Sequence, residues 1–249
     1  INRYLGGTPE SVYYLACFGD ASTEGYACSI YLVIKNKETS TSNIIFSKTR
    51  IAPQKMLESK KCKNKSTYIA RLELLATLLT CKAGKIMQTA LNIPSENVFI
   101  FSDSLITLHR LQKGPESFQM YVANRITQCI NYYPANQYFY VHTSKNPADL
   151  ASRGCSVSDL IGNENWFHGP QFLHLPTSEW EVEPPKSNDN LTLQSIEIKR
   201  DQINATVNVT SKAEENSIFE NLNNKFNDWR KITNILGWII RFICRKFID

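Results

Sequence analysis

Four acidic residues of this 249-residue chain stand where acids are least expected. Asp20, in Phe18-Gly19-Asp20-Ala21-Ser22, and Asp103, in Ile100-Phe101-Ser102-Asp103-Ser104, each close an apolar run. Glu73 interrupts the apolar Leu72-Glu73-Leu74-Leu75-Ala76. Asp149 sits in Asn146-Pro147-Ala148-Asp149-Leu150-Ala151-Ser152-Arg153-Gly154. Taken singly, each has an ordinary role: a strand-end Asp caps a turn, a helical Glu is solvated, and an Asp in a first helical turn meets the helix dipole. Gathered on one edge, four carboxylates would repel one another, and hard divalent cations with oxygen ligands remove that repulsion. Two Mg²⁺ ions about 4 Å apart, with Mn²⁺ as a substitute, would hold a scissile phosphate, activate water and stabilise the leaving oxygen.

The elements that must position these acids follow from the hydrophobic periodicity. Residues 12–20, 26–35 and 43–52 read as three β-rich runs with short turns between them, an antiparallel meander. Residues 68–88 carry Ile69, Leu72, Leu75, Ala76, Leu79, Ala83 and Ile86 at helical spacing. Residues 97–101 form a short, fully apolar strand of the kind buried inside a sheet. Helical segments are expected at 104–111 and 118–132, separated by Gly114-Pro115, and a fifth strand at 137–141. Asn146-Pro147 then opens a helix, with Asn in the cap position and Pro just inside. The order predicts an α/β domain with a mixed five-stranded sheet, three antiparallel strands and then two parallel additions, flanked by helices. If the first and fourth strands are neighbours, their carboxyl ends bring Asp20 and Asp103 side by side.

Composition narrows the alternatives. The chain is 42% hydrophobic and 20% charged, so it can bury a core and is not a disordered tail. It has no uninterrupted apolar stretch of about 18 residues, so no stable membrane association is expected. Its seven cysteines include no CxxC pair, which speaks against zinc ribbons or a disulfide framework and for reduced intracellular thiols. A net charge of +5 permits a polyanionic partner. The sequence divides into a catalytic domain over residues 1–162, a Trp-rich extension over 163–180, a polar linker over 181–216 and an amphipathic helix over 217–249. With no initiator Met and no apolar signal core, the chain reads as part of a longer product.

The motifs resemble the ribonuclease H region of a Bel/Pao-type LTR retrotransposon polyprotein, between reverse transcriptase and integrase. The stretches that carry the resemblance are 18–22, Ser47-Lys48-Thr49-Arg50-Ile51-Ala52-Pro53, Arg71-Leu72-Glu73-Leu74-Leu75-Ala76, Phe101-Ser102-Asp103-Ser104, Val122-Ala123-Asn124-Arg125 and 146–154. The block Trp166-Phe167-His168-Gly169-Pro170 and the helix around residues 229–243 also resemble that family. The resemblance implies a ribonuclease H-like fold and hydrolysis of the RNA strand of RNA·DNA hybrids, giving 5′-phosphate and 3′-hydroxyl ends. By the same resemblance Asp20 would bridge two Mg²⁺ ions, Glu73 and Asp103 would complete one metal site, and Asp149 would serve the other. It also implies partners in the reverse transcriptase and integrase portions of the same polyprotein, and an intracellular, cytoplasmic setting in virus-like particles. Tyr140 stands where relatives often carry a His before the last acid. His142, two residues later, is either its replacement in proton transfer or an exposed loop imidazole.

Expected substrate contacts are Arg71, Ser102, Ser104, Asn124 and Arg125, which flank the acids and could reach backbone phosphate or the 2′-hydroxyl that distinguishes RNA. Lys48, Arg50, Lys55, Lys60, Lys61, Lys63 and Lys65 face one acid, Glu58, in the stretch 48–65. That stretch is either a solvated loop or a phosphate-tracking arm whose binding would weaken with salt. Other polyprotein enzymes fit less well. Asp20-Ala21-Ser22 lacks the Gly of an aspartic protease, no Tyr-x-Asp-Asp is present, and the order Asp, Glu, Asp, Asp is not the Asp, Asp, Glu of integrase cores. A non-catalytic remnant that binds nucleic acid or tethers its neighbours is the alternative from another class.

Overall fold

A computed structural model describes residues 6–37, 39–53 and 65–180. The linker and terminal helix expected over 181–249, and most of the basic stretch after Pro53, lie outside the described residues.

Three strands open the chain: β1 (Val12–Ala21), β2 (Gly25–Lys35) and β3 (Ser40–Ile51), paired antiparallel in sequence order. Helix α1 (Lys65–Leu91) follows, longer at both ends than its apolar periodicity suggested. Then come β4 (Val98–Ser102), α2 (Leu105–Lys113), α3 (Met120–Tyr132) and the short β5 (Tyr138–Tyr140). The sheet order is β3-β2-β1-β4-β5, with β4 parallel to β1 and β5 parallel to β4. This is the mixed five-stranded ribonuclease H-like architecture expected. The small helices α4 (Ala148–Arg153), α5 (Val157–Ile161) and α6 (Glu164–His168) complete the described elements.

Because β1 is central, its side chains alternate between two buried faces. Leu15 and Cys17 point into a core with Leu72, Leu74, Ala76 and Leu79 of α1 and with Val122 and Ile126 of α3. Ala16 and Phe18 point to the other face, where among the described residues no long helix covers the sheet. That face is closed by aromatic residues. Phe18 stacks on Phe101 at 4.9 Å between ring centroids, and Phe99 meets Trp180 edge-on at 4.8 Å. Phe172, Leu173 and Trp180, all from the Trp-rich extension, are buried here. The extension also bonds to β3, the outer strand. Ser40 Oγ donates to the Leu173 carbonyl at 3.1 Å and Ser42 Oγ donates to the His168 carbonyl. The imidazoles of His168 and His174 lie 3.1 Å from the carbonyls of Ser42 and Ser40. Trp166 and Phe167 are partly buried against the same core.

Two sequence expectations shift in detail. The cap of α4 is Pro147, not Asn146, although Asn146 Oδ1 still accepts the Ala148 N–H at 3.1 Å. The fifth strand is confined to three residues, with Gln137 closing a 3-10 turn before it, and the Val141 N–H still donates to Ser102 O at 3.1 Å. Among the described residues no helix is long and apolar enough to cross a membrane.

Candidate active site

The parallel pairing of β1 with β4 sets Gly19 opposite Ser102, so the next residue on each strand, Asp20 and Asp103, emerges at one carboxyl-end edge. In α/β sheets this edge is where ligands bind. Gly19 is required here: a Cβ at that position would sit 2.5 Å from Thr80 Oγ1 and 3.4 Å from the Ala76 backbone. Without it α1 lies close against β1, and α1 carries Glu73.

Asp149 arrives from across the sheet on the first turn of α4. That helix is bonded to the β1 edge and to β3. Asn146 Nδ2 donates to the Gly19 carbonyl at 3.1 Å, Ser22 Oγ donates to the Ser152 carbonyl at 2.8 Å, and Thr49 Oγ1 donates to the Ala151 carbonyl at 2.9 Å. Asn146 is 4% exposed and spends both ends of its amide on these contacts. Asn146→Ala is expected to destabilise the domain by about 2 kcal/mol through two lost buried bonds, read by urea denaturation, and to loosen Asp149. A loss below about 0.5 kcal/mol would show that α4 docks without it.

The acids are close enough to shift one another's proton affinity. Burial is the main force raising Asp20, to about 6; the Asp103 and Asp149 charges add to it, and a hydrogen bond from Ser152 Oγ opposes it. Burial likewise raises Glu73, to about 7, with Asp103 and Asp20 adding to the rise. Against it act the Ser104 hydroxyl, which donates to Glu73 Oε2 at 2.5 Å, and the Arg110 guanidinium. Asp149 Oδ1 accepts Arg153 Nε at 2.7 Å, an exposed i,i+4 pair. All four sequence-predicted acids therefore meet at one edge.

The other expected residues divide by exposure. Ser102 and Ser104 are buried: Ser102 Oγ accepts the Ser104 N–H at 3.2 Å, and Ser104 caps α2 besides holding Glu73. Arg71 is 7% exposed and stacks on the Tyr121 ring at 4.5 Å, with Arg125 on the same ring at 3.4 Å. Asn124, Lys48 and Arg50 are exposed. His142 is exposed, its Nδ1 lying 2.9 Å from Ser144 Oγ and accepting the Ser144 N–H at 3.3 Å, so the ring caps its own loop. Of the Lys-rich stretch, Lys55, Lys60, Lys61 and Lys63 fall outside the described residues, and so does the side chain of Lys65.

Three participants escaped sequence reasoning. Ser152 lies three residues after Asp149, on the same helical face, a spacing that could have marked it. Arg110 interrupts the buried stripe Leu108 and Leu111, as Glu73 interrupts its own. It is 1% exposed, and its Nη1 donates to the Ala70 carbonyl at 3.0 Å, joining α2 to the turn of α1 that leads to Glu73. Tyr121 has no signal in the sequence beyond its place between two arginines in space.

The donor set is all carboxylate oxygen, which suits Mg²⁺ or Mn²⁺. Burial and mutual repulsion raise two of its members, a cost that a cation would remove. As positioned, no group of three acidic, His or Cys side chains among the described residues stands close enough to share one ion. Each of Asp20, Glu73 and Asp149 is instead held by a hydroxyl or guanidinium donor.

Residues 1–104 match the family model of a Pao retrotransposon-like RNaseH-like domain. The resemblance to the Bel/Pao ribonuclease H region is borne out over that stretch. The match takes in Asp20, Glu73 and Asp103 and ends before Asp149. No curated protein matches the chain. Among solved structures, ribonuclease H1 of the halophilic archaeon Halobacterium salinarum is similar at a TM-score of 0.30 and 8% identity, over 55% of this chain and 89% of that one. A Ppx/GppA family protein of Aquifex aeolicus is similar at 0.28 and 11% identity, over 56% of this chain and 39% of that one.

Proposed function

We propose that the chain hydrolyses the RNA strand of RNA·DNA hybrids during retrotransposon reverse transcription, leaving 5′-phosphate and 3′-hydroxyl ends. The observation that supports this is the meeting of Asp20, Glu73, Asp103 and Asp149 at the carboxyl-end edge of β1 and β4 within electrostatic reach of one another. Asp20, flanked by the other three, would be shared by two divalent cations, with Glu73 and Asp103 on one side and Asp149 on the other. Bound there, the cations would supply Lewis acidity toward the scissile phosphate and a nucleophilic water at neutral pH.

The chain's own groups do the positioning. Ser152 and Ser104 hold the Asp20 and Glu73 carboxylates in fixed rotamers, and Arg153 steadies Asp149. Arg125, held with the buried Arg71 on the Tyr121 ring, presents positive charge to the nucleic acid backbone. Lys48 and Arg50 extend that charge along β3. In this reading the reverse transcriptase and integrase portions of a polyprotein are its working partners, in a cytoplasmic particle.

The test is incubation of an end-labelled RNA·DNA hybrid with Mg²⁺. RNA fragments ending in 3′-hydroxyl are expected, none when EDTA is added, and none from duplex DNA. An intact hybrid after incubation with Mg²⁺ and with Mn²⁺ overturns the reading. One observation favours a second reading, a domain that binds hybrid without cutting it: three acids are tied to local donors and no three share an ion position. Hybrid binding without product, insensitive to loss of the acids, would identify that case.

A further inference from the structure

A small pocket opens beside Asp149, between the loop that carries Ser144 and the Trp-rich extension. Its volume is about 160 Å³, and its lining includes Thr143, Ser144, Asp149, Asn163, Asn165 and Trp166. It continues through Asn165 into a wider cleft of about 570 Å³ that includes Lys145, Gln171 and His174. The extension therefore does more than cover the sheet: it supplies one wall of a cavity whose other wall carries a candidate catalytic acid.

The lining chemistry selects the occupant. Among the described residues the smaller pocket is lined by no Lys or Arg and by one carboxylate, Asp149, which is paired with Arg153, so its lining is mainly uncharged and polar. It offers two hydroxyls, an indole and three amides, of which Asn146 is already spent on Gly19 and Ala148. Asn163 Oδ1 accepts the Trp166 N–H at 2.9 Å, which caps α6 and leaves the Asn163 amide nitrogen for a ligand. Asn165 is exposed, and its side chain makes no hydrogen bond within the described residues. Amide side chains read base edges, and aromatic rings stack unpaired bases. The volume, about that of five waters, is room for one base. Beyond it, the wider cleft sets Lys145, Gln171 and His174 among the apolar Pro170, Phe172 and Leu175, and Lys145 is the residue there that can meet a continuing backbone.

We propose that this pocket receives one unpaired nucleotide of the strand being cut, next to the phosphate that meets Asp149, with its base at Trp166 and its polar edge on Asn163 and Asn165. The proposal rests on the hydrolytic reading above. It gives the extension a direct part in substrate recognition, and it makes the enzyme favour hybrids whose RNA strand is frayed or ends near the cleavage position.

The test uses the full chain carrying Asp103→Asn, so that hybrid is bound without being cut, and fluorescence anisotropy at fixed salt. A single abasic nucleotide is walked along the RNA strand and, separately, along the DNA strand. One RNA position beside the cleavage point should weaken binding about fivefold or more. Adding Asn165→Ala should lower the affinity of intact hybrid and abolish the penalty at that position. Asn163→Asp, which keeps an oxygen to cap α6 while removing the amide donor, should act the same way. A flat RNA scan, an effect confined to the DNA strand, or an unchanged penalty in both variants overturns the proposal. Cutting by the unsubstituted chain is scored separately. Cutting with a flat scan removes the pocket alone, and a position-dependent penalty without cutting removes the hydrolytic reading alone.

Discussion

Asp20→Asn is expected to lower Mg²⁺-dependent hybrid cleavage by about a thousandfold or more, roughly 4 kcal/mol of transition-state stabilisation, while leaving the fold at least as stable at pH 7. The two effects have one cause. Asp20 is the acid on which the charges of Asp103 and Asp149 converge, and it also adds to the rise of Glu73. The amide keeps an oxygen for the Ser152 hydroxyl and nearly the same shape, so packing is preserved. It removes a buried negative charge from a crowded edge, which relieves repulsion, and with it the anion that the proposed reaction would share between two cations. Single-turnover cleavage rates and thermal melts of the same preparation separate these. Activity within tenfold of the unsubstituted chain would show that Asp20 is not at the reacting centre. A sharply lowered melting temperature would assign the loss to misfolding.

The second large effect is a dependence of stability on pH and on cations. Asp20 and Glu73 bind protons more tightly folded than unfolded, reaching about 6 and about 7. A carboxyl raised in the folded state contributes stability that is fully present below its unfolded pKa, near 4, and lost as pH rises through the folded value. The metal-free chain should therefore weaken between about pH 4 and pH 8, by a few kcal/mol at the edge of this site. Urea denaturation in EDTA at stepped pH measures it, and Glu73→Gln supplies the reference, since its curve should be flatter over the same window. Millimolar Mg²⁺ at pH 8 should restore much of the loss, because an ion that binds only the folded acids stabilises by mass action. Parallel curves for the two proteins, or indifference to Mg²⁺, would show that burial and neighbouring charge do not raise these acids.

The sequence carried the sheet because its strands are long and strongly patterned, and because the apolar 98–102 segment could only be an inner strand. It carried the four acids because each breaks a local rule: Glu73 lies on a buried face, and Asp20 and Asp103 end core strands. It did not carry what holds them. Ser152 and Ser104 look like ordinary polar residues until the β1–β4 register and the docking of α4 bring them onto Asp20 and Glu73. The inward turn of Ser104 and the stacking of Arg71 and Arg125 on Tyr121 depend on how α1, α2 and α3 pack, which local periodicity does not encode. The helix α4 is capped at Pro147, while Asn146 ties down the Gly19 carbonyl and receives the Ala148 N–H, contacts that appear only in the folded chain. Nor does any pattern around Trp166 announce the pocket it lines, since that wall forms only when the extension folds back over the sheet.

That folding back leaves β3 with an unusual neighbour. On its outer side, carbonyls that a sixth strand would otherwise bond are met by the imidazoles of His168 and His174, and its Ser40 and Ser42 hydroxyls are taken up by extension carbonyls. An open sheet edge is a template for pairing with another copy of the same chain. The extension thus guards against self-association in the half of β3 that it covers. A chain ending at residue 162 would uncover both that edge and the aromatic face beneath Trp180.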